Sequence, residues 1–141
     1  PSPLGFPVLM VGIVLPEGTP LFSPVDGHIS HAGVHQPSDF VGFAGVIEDA
    51  NSSSPFNYTL EGNVDFTRVY SLSRGDIIGH TTAGDKMFGK YDVVFLVSKL
   101  QGSGYVSGEE ELRVLFPIAF EKTPVQVSSV GGSGTTFIDF N

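Results

Sequence analysis

The stretch "SLSRGDIIGHTTAGD", Ser71 to Asp85, carries an Arg-Gly-Asp tripeptide, a Gly-Asp step into two isoleucines, and a histidine. An adhesive Arg74-Gly75-Asp76 needs display on a mobile loop tip, yet Ile77 and Ile78 follow at once. Gly-Asp ahead of β-branched residues is instead the chemistry of a tight turn entering a strand. A three-residue match carries little without context. Gly75 and Asp76 therefore read as a turn, with a strand starting at Ile77.

The same rhythm runs through the chain. Short apolar or alternating runs recur: "PVLMVGIVL", "TPLFS", "GHISHA", "VGFAGVIE", "FNYTLEG", "DFTRVYSL", "DIIGHT", "DVVFLVSKL" and "LRVLFPIAF". Between them lie "PEG", "PVDG", "HQPSD", "EDANSSSP", "SRG", "TAGD" and "QGSG", which are turn chemistry. With 18 glycines, 10 prolines and abundant Phe and Val, this predicts an all-β fold, a small β-barrel or β-sandwich of short strands. No window of helix length keeps a 3.6-residue period. The best helix candidate, "SGEEEL" at Ser107–Leu112, abuts the strand-like "LRVLFPIAF".

The ends differ from the middle. Residues 1–16 read as an extended, Pro-interrupted apolar arm, 17–123 as the β-barrel domain, and 124–141 as a Gly/Ser-rich tail closing on "FIDF". Neither end looks able to bury itself, so one or both are expected on a neighbouring subunit or partner.

Composition narrows the function classes. A chain of 141 residues suits one domain burying roughly two-thirds of its unfolded surface. Without cysteine it has neither disulfides nor thiolate metal sites. Fifteen acids against seven scattered bases, net −8, repel phosphate backbones, so nucleic acid is not an expected partner. No stretch approaches the ~20 apolar residues of a membrane helix. The apolar start lacks a basic region and is broken by prolines, unlike a signal peptide, and Pro1 fits loss of an initiator Met.

Candidate chemistry is sparse. His28, His31 and His35, with His80 and a carboxylate such as Asp26 or Asp39, supply residue types that zinc accepts. On a regular strand, however, positions three apart face opposite sides, which separates His28 from His31. The sequence thus favours turn or solvent-facing histidines and leaves metal binding there open. Asn51-Ser-Ser and Asn57-Tyr-Thr match the glycosylation pattern within or beside a polar loop. "GSG" at 102–104 has no following helix to cradle phosphate, and Glu109 to Glu111 read as a solvated acidic turn. No nucleophile, metallopeptidase or triad motif is present. No enzymatic activity and no cofactor are expected.

From Gly18 to Ile118 the order of features resembles the head decoration (cement) proteins of tailed phages, the lambda-type family and its relatives. The matching features are "GTPL" at Gly18–Leu21, the hairpin "SPVDGHISHAG", "VGFAGVI" with Gly42, and "YTLEGNV" with Gly62 and Val64. An L-x-x-G-D-x-[IV] turn at Leu72–Ile78, with Gly75 and Asp76, and the pair Ala83-Gly84 follow. "YDVVFLVSKL" and "EELRVLFPI" resemble that family's last two strands. The resemblance implies a homotrimer on the exterior of the virion, made in the host cytoplasm and clamping the major capsid protein. It also suggests a capsid-binding role for the arm, through Leu4, Phe6, Val8, Leu9, Met10, Val11, Ile13 and Val14, which could add a strand to a coat-protein edge.

Two other classes compete. "TPLFSPVDGHISHAG" and "GDIIGHTTAG" are similar to segments of lysostaphin-like zinc peptidases. Where that family has its metal-binding H-x-H, this chain has "YDVVF", Tyr91–Phe95, so the likeness implies at most a degenerate binding module. A carbohydrate-binding β module would need an exposed aromatic platform, for which Phe40, Phe43, Phe56, Tyr58 and Tyr105 are the candidates. Strand-borne aromatics more often belong to the core.

Overall fold

The computed structural model describes residues 8–35, 42–69, 71–84, 86, 88–121, 125–126 and 135–141. Along them run β1 (Val8–Ile13), β2 (Pro20–Phe22), β3 (Gly27–His35), β4 (Gly42–Asp49), β5 (Phe56–Gly62), β6 (Val64–Phe66) and β7 (Ser71–Leu72). Then come β8 (Ile77–Thr81), β9 (Val93–Gln101), β10 (Gly104–Ser107), α1 (Glu109–Leu115), a 3-10 turn (Ala119–Glu121), β11 (Val125–Gln126) and β12 (Thr135–Asp139). One sheet has the order β11-β12-β1-β9-β5-β4-β3-β7, with β10 also on β9; a second has the order β2-β8-β6. The all-β class read from the sequence holds.

β9 organises this arrangement. Val93 to Val97 are all buried. Val93, Phe95 and Val97 enter the main core with Ile47, Tyr58, Leu60, Val64 and Ile78. Val94 and Leu96 point the other way, into a cluster with Met10, Phe88, Tyr91 and Phe137. A strand covered on both faces needs a continuous apolar run, whereas β5, which buries Tyr58 and Leu60 from one face, alternates. The small sheet covers the main core, and its Phe66 ring lies where a Cβ on Gly45 would come within 2.6 Å. On the opposite face the Tyr91 ring lies over Gly12, 2.5 Å from where a Cβ would sit.

The two ends correct the expectation of a free arm and tail. β1 pairs antiparallel with β9 (Met10 with Leu96, Ile13 with Val93) and parallel with β12 (Val8 with Thr135, Gly12 with Asp139). Met10, Val11 and Ile13 are buried, as are Phe137 and Ile138. Both edges of β1 are thus taken within its own chain, and it cannot add to a coat-protein edge. The physical reason is placement of the prolines: Pro7 and Pro16 bracket the strand, leaving none inside it. Leu9 packs partly buried on the core, and Val14 donates its N–H to Asn141 Oδ1 at 2.6 Å. Leu4 and Phe6 lie outside the described residues.

"LRVLFPIAF" is likewise not a strand. Leu112, Leu115, Phe116 and Ala119 all pack on the main core, a spacing of i, i+3, i+4, i+7 that belongs to helical geometry. Gly108 lets the helix start lie against β9, since a Cβ there would fall 2.7 Å from Val97 Cγ1. Pro117 then closes it. Glu109, Glu110 and Glu111 form its first turn rather than a solvated loop, suiting the positive end of the helix dipole. Each has a partner: Arg113, Lys99 and the Tyr58 hydroxyl, which donates to Glu111 Oε2 at 2.5 Å. Burial first, then this hydrogen bond and the Glu111 charge, push the Tyr58 phenol well above its ordinary value.

Two measurements test this account. Deleting residues 1–14 should abolish cooperative folding by circular dichroism, because it removes three buried side chains worth about 1.5–3 kcal/mol each; a deleted chain with the full-length melting profile would overturn the placement of β1. Tyr58 and Tyr91, whose phenol burial also raises, should resist ionisation in an alkaline absorbance titration until the chain unfolds. With Tyr58 raised from 10.0, its contribution to stability is complete below that pH and declines as pH rises above it. Tyr58→Phe should flatten that decline.

Candidate functional site

The Arg-Gly-Asp tripeptide sits on an exposed turn, Ser73 to Asp76. Asp76 N–H donates to the Ser73 carbonyl at 2.9 Å, and Gly75 takes φ +88° at the turn's third position. That conformation suits glycine. The turn is braced: Ser73 N–H donates to Asp76 Oδ2 (2.8 Å), Arg74 N–H to Asp26 Oδ1 (2.7 Å) and Gly75 N–H to the Ser23 carbonyl (2.9 Å). It launches β8 as a strand-entry turn should. Gly18 (φ +82°) turns the chain into β2 in the same way. Gly62 (φ +146°) stands where a Cβ would strike the Asp92 carbonyl at 2.2 Å, and Gly42 begins β4 opposite His35.

Three histidines lie along β3 and the fourth on β8. His28 Nε2 meets Glu48 Oε2 at 3.0 Å across the β3–β4 pair. The pairing register shifts between Ile29 and His31, so the strict alternation used to separate these histidines does not hold along β3. His80 lies exposed on β8 in the other sheet. Among the described residues no group of three or more His, Cys, Asp or Glu is arranged to hold a metal ion. Asp39 lies outside them. Where the zinc-peptidase likeness would place ligands, Tyr91, Val93 and Phe95 are buried in the two cores. Asn51 is exposed in a turn closed by its own Oδ1, which accepts from Ser53 N–H, and Asn57 is half-buried in β5. Of the aromatic-platform candidates, Tyr58 is buried, Phe56 is half-buried against the core, Tyr105 is exposed, Phe43 belongs to β4, and Phe40 lies outside the described residues.

What the structure brings together is an apolar cleft of about 270 Å³. Its floor is Ile13, Leu60, Val93 and Phe95 of the main sheet. One wall is Leu15 and the segment Thr19 to Phe22 with Pro24; the other is Leu115 and Phe116 at the end of α1. Phe140 closes the rim. Its N–H donates to the Gly12 carbonyl at 2.9 Å, and its ring meets Phe116 edge-on at 5.9 Å. Phe116 in turn meets Phe95 edge-on at 5.2 Å. Phe22 and Phe140 remain 56% and 46% exposed, so large apolar side chains stand at the mouth. Among the described residues of the lining the only polar side chain, Thr19, donates its hydroxyl to the Pro16 carbonyl.

Sequence reasoning missed this cleft. Its walls and rim come from residues 15–24, 115–116 and 140, which are far apart in the sequence. The one local signal was Phe22, an aromatic residue between Pro20 and Pro24 on a short strand.

Comparison of the chain with protein-family models, with curated proteins and with solved structures finds no match.

Replacing Gly75 by Ala should cost about 1 kcal/mol, from backbone strain alone, since a Cβ there meets nothing within 4 Å. Thermal or urea unfolding reads this directly; an unchanged midpoint would exclude the left-handed turn.

Proposed function

We propose that the chain is a non-enzymatic structural protein, a capsid decoration protein that binds the exterior of an assembled phage head as a homotrimer and stabilises it. The apolar cleft carries this reading: large apolar side chains stand at its mouth, and its lining suits docking rather than chemistry. Supporting it, Gly18, Gly62 and Gly75, three of the glycines in the decoration-like motif order, each occupy a conformation that favours glycine. The contact with the major capsid protein is assigned to the cleft face, because β1 is committed to the core.

Three weak contacts joined in one trimer act at high effective concentration and multiply affinity by about 10²–10⁴ over one contact. The acidic surface keeps decorated particles mutually repelling. Neither nucleic acid, membrane nor cofactor takes part. Sedimentation velocity should give the mass of three chains, and the protein should co-sediment with undecorated capsids. Phe22→Ser should weaken that co-sedimentation about tenfold or more while preserving the melting temperature. A strictly monomeric chain that ignores capsids would sink the proposal.

A further inference from the structure

The cleft's occupant can be specified by chemistry. A small molecule bound in a cleft is oriented by a few placed polar groups, and among the described lining residues the one polar side chain is already engaged at Pro16. An apolar side chain carried on a polypeptide needs no such groups, because its own backbone orients it. Strand addition is disfavoured along the wall: β2 is an edge strand, and Pro20 there offers no N–H. The contact is therefore made through side chains.

Charge fixes the partner's sign. Glu17 is exposed on the turn between Leu15 and Thr19, and Asp92 Oδ2 accepts the Leu15 N–H at 2.8 Å. Asp26 and Asp76 hold the turn that bonds Ser23, beside Phe22 and Pro24. Against these four acids stand Arg74 on that turn and Lys86, 3.6 Å from Asp92. Arg113, near Leu115, bridges to Glu109 at 3.3 Å and stacks over Phe120. The neighbourhood keeps the acidic sign of a chain carrying −8, which disfavours a second copy of itself.

We infer that the cleft receives an apolar side chain presented between basic residues of a partner polypeptide. This rests on the reading of the protein as a docking module and names what it docks to. A Lys-Lys-Phe-Leu-Lys-Lys peptide with blocked ends, titrated into the isotope-labelled full chain, should shift the amides of Leu15, Leu21, Phe22, Leu115, Phe116 and Phe140. The Glu-Glu-Phe-Leu-Glu-Glu counterpart should not. Affinity for the basic peptide should fall about tenfold between low salt and about 0.3 M. Phe22→Ser and Glu17→Lys, both at exposed positions, should each weaken it at unchanged melting temperature. Absence of shifts, equal binding of both peptides, or shifts of the same amides on concentrating the protein alone would each overturn the inference. Capsid co-sedimentation without peptide binding would remove this inference and leave the decoration reading standing; peptide binding without capsid binding would do the reverse.

Discussion

Two-sided burial of β9 is the constraint from which the rest follows. A strand whose five consecutive residues are all covered must have a layer on each face, and the chain builds two different ones. The main face receives the small sheet and α1. The other receives Phe88 and Tyr91, with Phe137 between them at 6.3 and 5.4 Å. The edges of β9 are as heavily used. β5 takes one along Val93–Lys99, while β1 and β10 divide the other, β1 against Val93–Leu96 and β10 against Ser98–Gln101. The end of β10, Ser107 opposite Ser98, therefore limits how far β1 can follow β9, and β12 continues the pairing of β1 to Val8.

Much of this was legible locally. Gly75-Asp76 ahead of two isoleucines announced its turn, and "FNYTLEG" alternates as a half-buried strand should, placing Tyr58 and Leu60 inside. "DVVFLVSKL" read as one of the strand-like runs, and the pairing makes it the central one. At the N-terminal end, local pattern was read without its long-range partner. The apolar residues after Pro7 looked unable to bury themselves because the strand that covers them, β12, arrives more than 120 residues later. Leu112, Leu115, Phe116 and Ala119 carry helical spacing over eight residues, too short a run to stand out as a helix-length period in the strand-like "LRVLFPIAF". Here the period was the better guide than the composition. For the histidines it is the premise that changes, since a register shift within β3 removes the regularity on which the spacing argument depended.

The cleft was the least legible feature, because no single segment contains it. It exists where three distant pieces stop: β1 at Ile13, α1 at Leu115, and the C-terminal strand at Asp139. Each ends for its own reason, such as Pro16 or Pro117, and their ends leave apolar side chains with nothing further to pack on. The proposed docking contact thus falls where secondary structure runs out around a rigid sheet, which is where binding surfaces are generally found.

The parallel pairing of β1 with β12 also determines how the domain bears load. Tension applied to the chain through its two ends enters β1 at Val8 and leaves β12 at Asp139, at opposite ends of one pair of strands. The pull then runs along both strands in opposite directions and shears them. Five backbone pairs, Val8–Thr135 to Gly12–Asp139, share that load together instead of opening one after another. The Lys90–Asp139 ion pair at 2.6 Å and the Asn141 side chain, which pairs with both the N–H and the carbonyl of Val14, tie off the far end. The ends of the chain thus act as a clasp across the domain, stiffest along the line that joins them.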